Sequence, residues 1–282
     1  MEKIYIIVPV FNRYATTRKF IECLLGQSHS HWNLVLADSG STDGTTTLPQ
    51  VSPERVTLLH GSPDHWWSGS VQLGFDHIKK VASPSDVILL ANDDITFNED
   101  FLRDGVRLLQ KDPLSIVSAQ QVTIEGKVDP GTFKIHLMKA TASETPTTSD
   151  FDALTTRALF FTVGTLLRNG DLHPWLIPHY YGDFEWTFRA KLRGIPLRSE
   201  PGLQVRNSGH HGHLFVTAPT FAERWHQMFQ RRHCQSPQAM FFFIWLRFPW
   251  RAKLPATLSL LRRTIWILRG LHLRPSEQRQ GH

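Results

Sequence analysis

Cysteine is scarce in this chain: Cys23 and Cys234 are the only two in 282 residues, and they lie far apart. That excludes a disulfide framework and a cysteine-spaced metal centre, and it suits a reducing compartment. Long apolar runs are also missing. The strongest, Phe241 to Leu246, falls far short of the roughly 20 residues that span a bilayer. No internal repeat is apparent. The opening Met1-Glu2-Lys3-Ile4 runs straight into a strand-like segment, so the expectation is a chain without a secretory leader. Acidic residues are absent from Arg224 to Ser276, where ten Lys/Arg fall; the remaining chain holds 21 basic residues against all 25 acidic ones. A mildly acidic body therefore carries a basic tail, which calls for an anionic surface as partner. Hydrophobic content of 41% against 20% charged describes a globular protein, long enough for one large domain with an appendage.

What is present is a βαβ rhythm. Ile4 to Val10, Asn33 to Ala37, Arg55 to His60, Asp86 to Ala91 and Ser115 to Gln121 read as strands. Thr16 to Leu25, Gly69 to Val81 and Glu99 to Gln110 read as helices between them. The alternation predicts an α/β fold with a mostly parallel sheet flanked by helices. Thr141 to Asp150 reads as an exposed loop, Leu159 to Arg168 as a strand, and Gly182 to Arg193 as a helix stopped by Gly194-Ile195-Pro196. The boundary between body and tail falls near Pro219, giving residues 1–219 and 220–282.

Asn92-Asp93-Asp94 follows the apolar run Val87 to Ala91. Paired carboxylates at the carboxyl end of a buried strand sit where open α/β sheets place ligands, and they suit a hard divalent cation that also holds phosphates. An isolated Asp-Asp there would more often be a helix-capping loop. Two further loops change that balance. Val8-Pro9-Val10-Phe11-Asn12-Arg13 ends the first strand, and Asp38-Ser39-Gly40-Ser41-Thr42-Asp43-Gly44-Thr45 follows the second, both on the edge that carries Asp93 and Asp94.

Together with Asp183-Phe184-Glu185-Trp186, these motifs resemble the family 2 glycosyltransferases in order and spacing, from residue 3 to about residue 213. The resemblance implies a GT-A nucleotide-sugar-binding fold and an inverting enzyme. It implies that Pro9, Phe11, Asn12, Asp38 and Ser39 surround the donor nucleotide, with Asp93 near the ribose and diphosphate and Asp94 on a Mn²⁺ or Mg²⁺ ion. Ser39 departs from the acid or Asn that many relatives carry, which leaves uridine and thymidine both open. The resemblance also implies Asp183 as the catalytic base, with Gly182 standing where some relatives have another Asp. Helix N-capping is the plain alternative for Asp183. Glu185, two residues on, orients acceptor or base, and Arg189 stands at i+4 to pair with it.

Three further features are assigned by position. A histidine after the strand containing Gln204 and Val205 completes the metal site in many relatives, which points to His210 or His213 within Gly209-His210-His211-Gly212-His213. Trp66 and Trp67 precede a helix where relatives face the sugar nucleotide, so they are candidates to wall a sugar by stacking, with core burial the alternative. Gly164 is expected to allow close backbone approach near the acceptor, or else to mark a strand bulge.

In the tail, Leu254, Leu258, Leu261, Ile265 and Leu268 form one helical row, with Arg262, Arg263, Arg269 and Trp266 opposite. Cations beside aromatics on an amphipathic helix suit an anionic membrane surface. A helix packed on the body is the competing arrangement, and a nucleic-acid partner fits the charge but not the apolar face. The expectation is therefore a metal-dependent hexosyl- or deoxyhexosyltransferase, peripheral at the cytoplasmic face of the membrane. It would move a sugar from a nucleotide-diphosphate donor to a hydroxyl of a glycan or lipid-linked acceptor in cell-surface polysaccharide synthesis. A nucleotidyltransferase or a silent nucleotide-sugar-binding module are the alternatives. The first lacks its glycine-rich loop after strand one, and the second does not explain why four acids are retained.

Overall fold

The computed structural model describes residues 3–123, 126–207, 216–230 and 233–271. The first half alternates β1 (Ile4–Val10), α1 (Tyr14–Leu25), β2 (Trp32–Asp38), β3 (Val56–His60), α2 (Trp66–Val81) and β4 (Val87–Ala91). It continues through β5 (Ile95–Thr96), α3 (Phe101–Lys111) and β6 (Ile116–Val122). Short strands β7 (Val128–Asp129), β8 (Thr132–His136), β9 (Thr141–Glu144) and β10 (Ala153–Leu154) lead to β11 (Ala158–Thr162) and α4 (Val163–Asn169). The remaining described elements are α5 (Gly182–Leu192), β12 (Leu197–Asn207), α6 (Phe221–Met228), α7 (Pro237–Arg247) and α8 (Trp250–Leu268).

Among the described residues the main sheet runs β3-β2-β1-β4-β11-β6-β12-β5, with β7 beside β6. β3, β2, β1 and β4 are mutually parallel, while β11 runs antiparallel to both β4 and β6. A smaller sheet, β10-β8-β9, lies beside it. Both faces of the main sheet are covered, which is why its strands read as unbroken apolar runs. Successive side chains of β1 point to opposite faces. Ile4, Ile6 and Val8 pack with Phe20, Leu24 and Leu102 of α1 and α3, whereas Tyr5 and Ile7 pack with Phe75 and Ile78 of α2. Gly74 lets α2 approach the sheet, since a Cβ there would meet Ile7 at 2.5 Å.

The local differences from the sequence reading have physical causes. The strand expected over Leu159 to Arg168 ends at Thr162, whose side chain accepts from the Thr165 N–H at 3.1 Å and caps α4. The polar segment after Thr141 is exposed, but its first residues pair with Phe133 to His136 as β9. Threonine-rich sequence satisfies a half-solvated strand as readily as a loop.

The helices after Pro219 pack on the body. Ala252, Ala256 and Leu260 of α8 and Ala239, Met240 and Phe243 of α7 share one apolar cluster with Ile135, Ile177 and Phe188. Small residues face inward, so the leucine row separates: Leu254, Leu258, Leu261 and Ile265 are exposed while Leu268 is buried. Among the described residues no helix is long and apolar enough to cross a membrane.

Candidate active site

Four parallel strands end on one edge, and the loops there are tied together. Ser39 N–H donates to the Val10 carbonyl at 2.9 Å, Gly61 N–H to Asp38 at 2.7 Å, and Asn92 N–H to Arg157 at 3.1 Å. These loops enclose a cleft of about 650 Å³. Because strand order is β2-β1-β4-β11, the lining residues follow the same sequence along the edge. Ser39, Pro9 and Phe11 come first, then Asp93 and Asp94, then Thr156 and Asp183. Trp66 and Trp67 both line the cleft, and Trp67 also packs against the core on the α2 side.

The pair after β4 divides its labour. Asp93 is 3% exposed and accepts from Thr17 Oγ1 at 2.7 Å; its carboxylate is 2.9 Å from Arg13 Nε. Burial pushes its acidity towards weaker acid, opposed by Arg13 and the Thr17 hydroxyl. Asp94 is more open, with a second guanidinium nitrogen of Arg13 3.3 Å away, and it stands where the main cleft adjoins a smaller hollow beside Asn12 and Asp43. Among the described residues no group of three or more His, Cys, Asp or Glu side chains is placed to hold a metal ion. One or two carboxylates completed by phosphates and water is the arrangement Mg²⁺ and related hard cations take, so the donor set fits such an ion only with a diphosphate present. His210 and His213 lie outside the described residues.

Asp183 opens α5 and faces the cleft. Its oxygens accept from the backbone N–H of Thr156 at 3.1 Å and of Phe184 at 2.9 Å. Burial raises its pKa above the usual carboxylate range, against the pull of those two N–H groups. A half-desolvated carboxylate fixed by backbone donors has the basicity and the rigidity that proton abstraction from a hydroxyl requires. Gly182 permits this placement, because any Cβ there would collide with Ser68 Oγ and crowd Trp67.

Two assignments are corrected. Glu185 does not reach the cleft; it is 1% exposed and ion-paired with Arg247 of α7, with Arg189 at 3.5 Å and His173 at 3.9 Å. Two residues along a helix turn the side chain to nearly the opposite face, and there Glu185 anchors the tail. Gly164 is not near the acceptor side: β11 runs antiparallel to β4, so Thr162 pairs with Val87 at the far edge and Gly164 N–H donates to Pro84 at 2.8 Å.

Other expected residues shape the site from behind. Asp38 is 1% exposed, and its carboxylate accepts from Gly40 N–H at 3.0 Å and from Ser41 N–H and Oγ. Ser39 lines the cleft with its hydroxyl bonded to Ser70. Asn12, at φ 51°, accepts from Thr42 N–H at 2.7 Å and so clips the first loop to the second. Trp66 and Tyr181 also carry positive φ, 50° and 69°, flanking the cleft. Strained non-glycine backbone of this kind persists only where its surroundings over-determine it, and it gathers at functional sites.

Arg13, Thr17, Thr156, His179 and Tyr180 escaped the sequence reading as site residues. Arg13 directly adjoins the Pro-Val-Phe-Asn run, which is a signal; Thr156 has none, since only the antiparallel register of β11 brings it there. Asn92 holds the indole N–H of Trp67 at 3.4 Å while its amide donates to Thr156 at 3.0 Å, so it braces one wall.

The family description "Glycosyl transferase family 2" matches residues 5–190. The chain belongs to glycosyl transferase family 2. A 99-residue stretch of this family 2 chain is 26% identical to EpsE of Bacillus subtilis (strain 168), a provisionally assigned glycosyltransferase, over 34% of each chain. Among solved structures, the mannosyltransferase PcManGT from Pyrobaculum calidifontis, in complex with GDP-Man and Mn²⁺, is similar over 97% of this chain and 81% of its own. Its TM-score is 0.57 at 15% identity. TarS residues 1–349 of S. aureus, in complex with UDP-GlcNAc, gives a TM-score of 0.56 at 15% identity over 98% of this chain and 77% of that one. GalNAc-T7, crystallised with UDP, GalNAc and Mn²⁺, gives 0.59 at 11% identity over 77% of this chain, which spans under half of that protein. At these identities the likeness establishes the GT-A fold.

Proposed function

We propose that the chain transfers a hexose or deoxyhexose from a nucleoside-diphosphate donor, a UDP- or TDP-sugar, to a hydroxyl of a glycan or lipid-linked acceptor, with inversion at the sugar carbon. One observation carries the reading: Asp94 and Asp183 line one cleft, and Asp183 is fixed there by the backbone N–H groups of Thr156 and Phe184. The solved neighbours bound to nucleotide sugars or nucleotides support the donor class without settling the base.

The chain's own groups divide the work. Phe11, 49% exposed, offers a face for the nucleobase, and Pro9 and Ser39 close that end. Asp94 would hold a divalent cation, Mn²⁺ or Mg²⁺, with His210 or His213 proposed to complete its shell and Asp93 beside the ribose and diphosphate. When bound, that cation stabilises the negative charge developing on the leaving diphosphate, as a Lewis acid does. Asp183 removes the acceptor proton as the hydroxyl attacks. Trp66 and Trp67 enclose the sugar, and their bulk excludes water that would otherwise hydrolyse the donor.

The exposed leucine row of α8 lies beside Arg251, Arg262 and Arg269, and no acid intervenes from Arg224 to Ser276. We place this face on an anionic membrane, at the cytoplasmic side, in the assembly of cell-surface polysaccharide. A thermal-shift screen of UDP-, TDP- and GDP-sugars with and without Mn²⁺ tests the donor reading. A rise in melting temperature confined to one base and dependent on Mn²⁺ is expected. No response to any sugar nucleotide contradicts it.

A further inference from the structure

α5 starts from a strained residue. Tyr181, which precedes its first turn, has φ 69° and ψ −1° and makes no side-chain cap. The residue before a helix ordinarily has extended backbone, as Thr162 and Thr220 have before α4 and α6, at φ −85° and −99°. The left-handed region favours glycine and, among other residues, asparagine. A bulky side chain persists there only where its surroundings over-determine it.

The constraint comes from both sides of the chain and from the ring. Upstream, Ser68 N–H donates to the Pro178 carbonyl at 2.9 Å. Downstream, the Tyr181 carbonyl accepts the Glu185 N–H at 2.9 Å and closes the first turn of α5. The ring packs into the cluster shared by body and tail, nearly parallel to Phe243 of α7, with centroids 6.5 Å apart. It also meets Phe184 edge-on at 6.3 Å. Phe243 is itself enclosed: it is 2% exposed and lies edge-on to Phe188 and Phe248.

Asp183 stands two residues beyond this clamp. Its seat against the Thr156 N–H, at 3.1 Å, depends on the angle at which α5 leaves Tyr181. A return of Tyr181 alone to an ordinary helical φ would turn the following chain by roughly 130°. The bond to Thr156 cannot follow such a turn, because hydrogen-bond distance and angle are tightly limited. The two links between α5 and α7 thus differ in place. Glu185 pairs with Arg247 on the face of α5 away from the cleft, whereas Phe243 meets Tyr181 at the end that carries Asp183.

We propose that Tyr181 is a positioning residue for Asp183, locked by Phe243 of α7, so that the tail helices help to aim the base. The inference rests on the reading of Asp183 as base and deepens it by making the base depend on the docked tail. The ring, not the hydroxyl, carries the effect, since its aromatic neighbours are what hold the backbone in place.

The test uses the full chain. Tyr181→Phe keeps the ring, Tyr181→Ala removes it, and Phe243→Leu removes its partner while keeping apolar bulk. Glu185→Gln breaks the other link to α7 and serves as control. One readout is Mn²⁺-dependent release of nucleoside diphosphate from UDP-glucose or TDP-glucose, with water as acceptor, per folded molecule. The other is the carboxyl ¹³C titration of Asp183 without Mn²⁺, assigned by its loss in Asp183→Asn; it needs no substrate. Tyr181→Ala and Phe243→Leu are expected to lower kcat by about tenfold or more, with Tyr181→Phe, Glu185→Gln and every KM within about threefold of wild type. In the first two the Asp183 titration falls towards the ordinary Asp value as burial is relieved, and in Tyr181→Phe it stays. Wild-type kcat and titration in Tyr181→Ala and Phe243→Leu, or an equal loss in Tyr181→Phe, overturns the proposal and leaves the base reading standing. A loss confined to the folded fraction assigns Tyr181 to stability alone and also overturns it. Full turnover by Asp183→Asn overturns the base reading itself.

Discussion

The guanidinium of Arg13 lies 3.3 Å from the carboxylate of Asp94, the group on which the cation is expected to settle. The same side chain reaches Asp93, so one arginine is shared between both acids and offsets only part of their charge. A cation and Arg13 then compete for Asp94. Arg13→Ala should strengthen donor-free Mn²⁺ binding by about twofold to fivefold, the scale of a partly exposed ion pair. Donor affinity should fall, because a guanidinium that lines the cleft and could face the diphosphate is lost. Paramagnetic titration of Mn²⁺ with and without nucleotide sugar measures both. Equal loss of the two affinities would mean that Arg13 only supports the loop.

Asp183→Asn should lower transfer by about 10²- to 10⁴-fold with donor binding kept, the range for loss of a general base. The pH profile gives a second sign. Burial raises the Asp183 pKa, so the basic form is lost as pH falls through a value above the usual carboxylate range. The acid limb of kcat/KM should therefore lie above about pH 4, the ordinary position for Asp. An acid limb at or below that value in the wild type assigns the base to another group.

Phe11 and Trp67 both line the cleft, and with the nucleobase proposed at Phe11 and the sugar at Trp67 their losses should differ in kind. Phe11→Ala is expected to weaken the free nucleoside diphosphate and the sugar nucleotide equally, by about fivefold to tenfold, as an aromatic contact of this size is lost. Trp67→Ala should leave the nucleoside diphosphate untouched and weaken only the sugar-bearing form. Competition binding with both ligands reads the difference; identical behaviour of the two variants contradicts the proposed orientation.

Glu185 joins α5 to α7 through Arg247 and should matter for folding, not for chemistry. Glu185→Gln leaves Arg247 and buried Arg189 without their carboxylate, a loss of about 3 kcal/mol at the scale of broken buried pairs. Burial already pushes the Arg189 pKa down to about 10. Urea unfolding measures the cost, and per-molecule turnover of the folded fraction should stay near wild type. Unchanged stability with lost turnover would return Glu185 to the catalytic group.

Local patterns made the sheet readable. Val87 to Ala91 is buried on both faces and followed at once by Asn92-Asp93-Asp94, so strand, edge and acids are all encoded within eight residues. The Asp38 loop was readable for the same reason, although its carboxylate turned out to fold the loop on itself. Gly164 misled because a strand's direction is a tertiary fact: nothing in Ala158 to Thr162 says it runs against β4. Glu185 misled because its partner Arg247 lies 62 residues away. The α8 face misled in part, since the alanines Ala252 and Ala256 pack inward with Leu260 while Leu254, Leu258 and Leu261 remain outside. Hydrophobicity ranks the leucines first, but close helix packing on the body selects the small side chains.

The central claim is that Asp94 couples a divalent cation to the donor diphosphate. Calorimetric titration of the preferred sugar nucleotide into wild-type and Asp94→Ala protein, with and without Mn²⁺, tests it most directly. The account predicts tight uptake only for wild type with Mn²⁺, and weak, metal-insensitive uptake in the other three combinations. Mn²⁺-enhanced binding that survives in Asp94→Ala would contradict it.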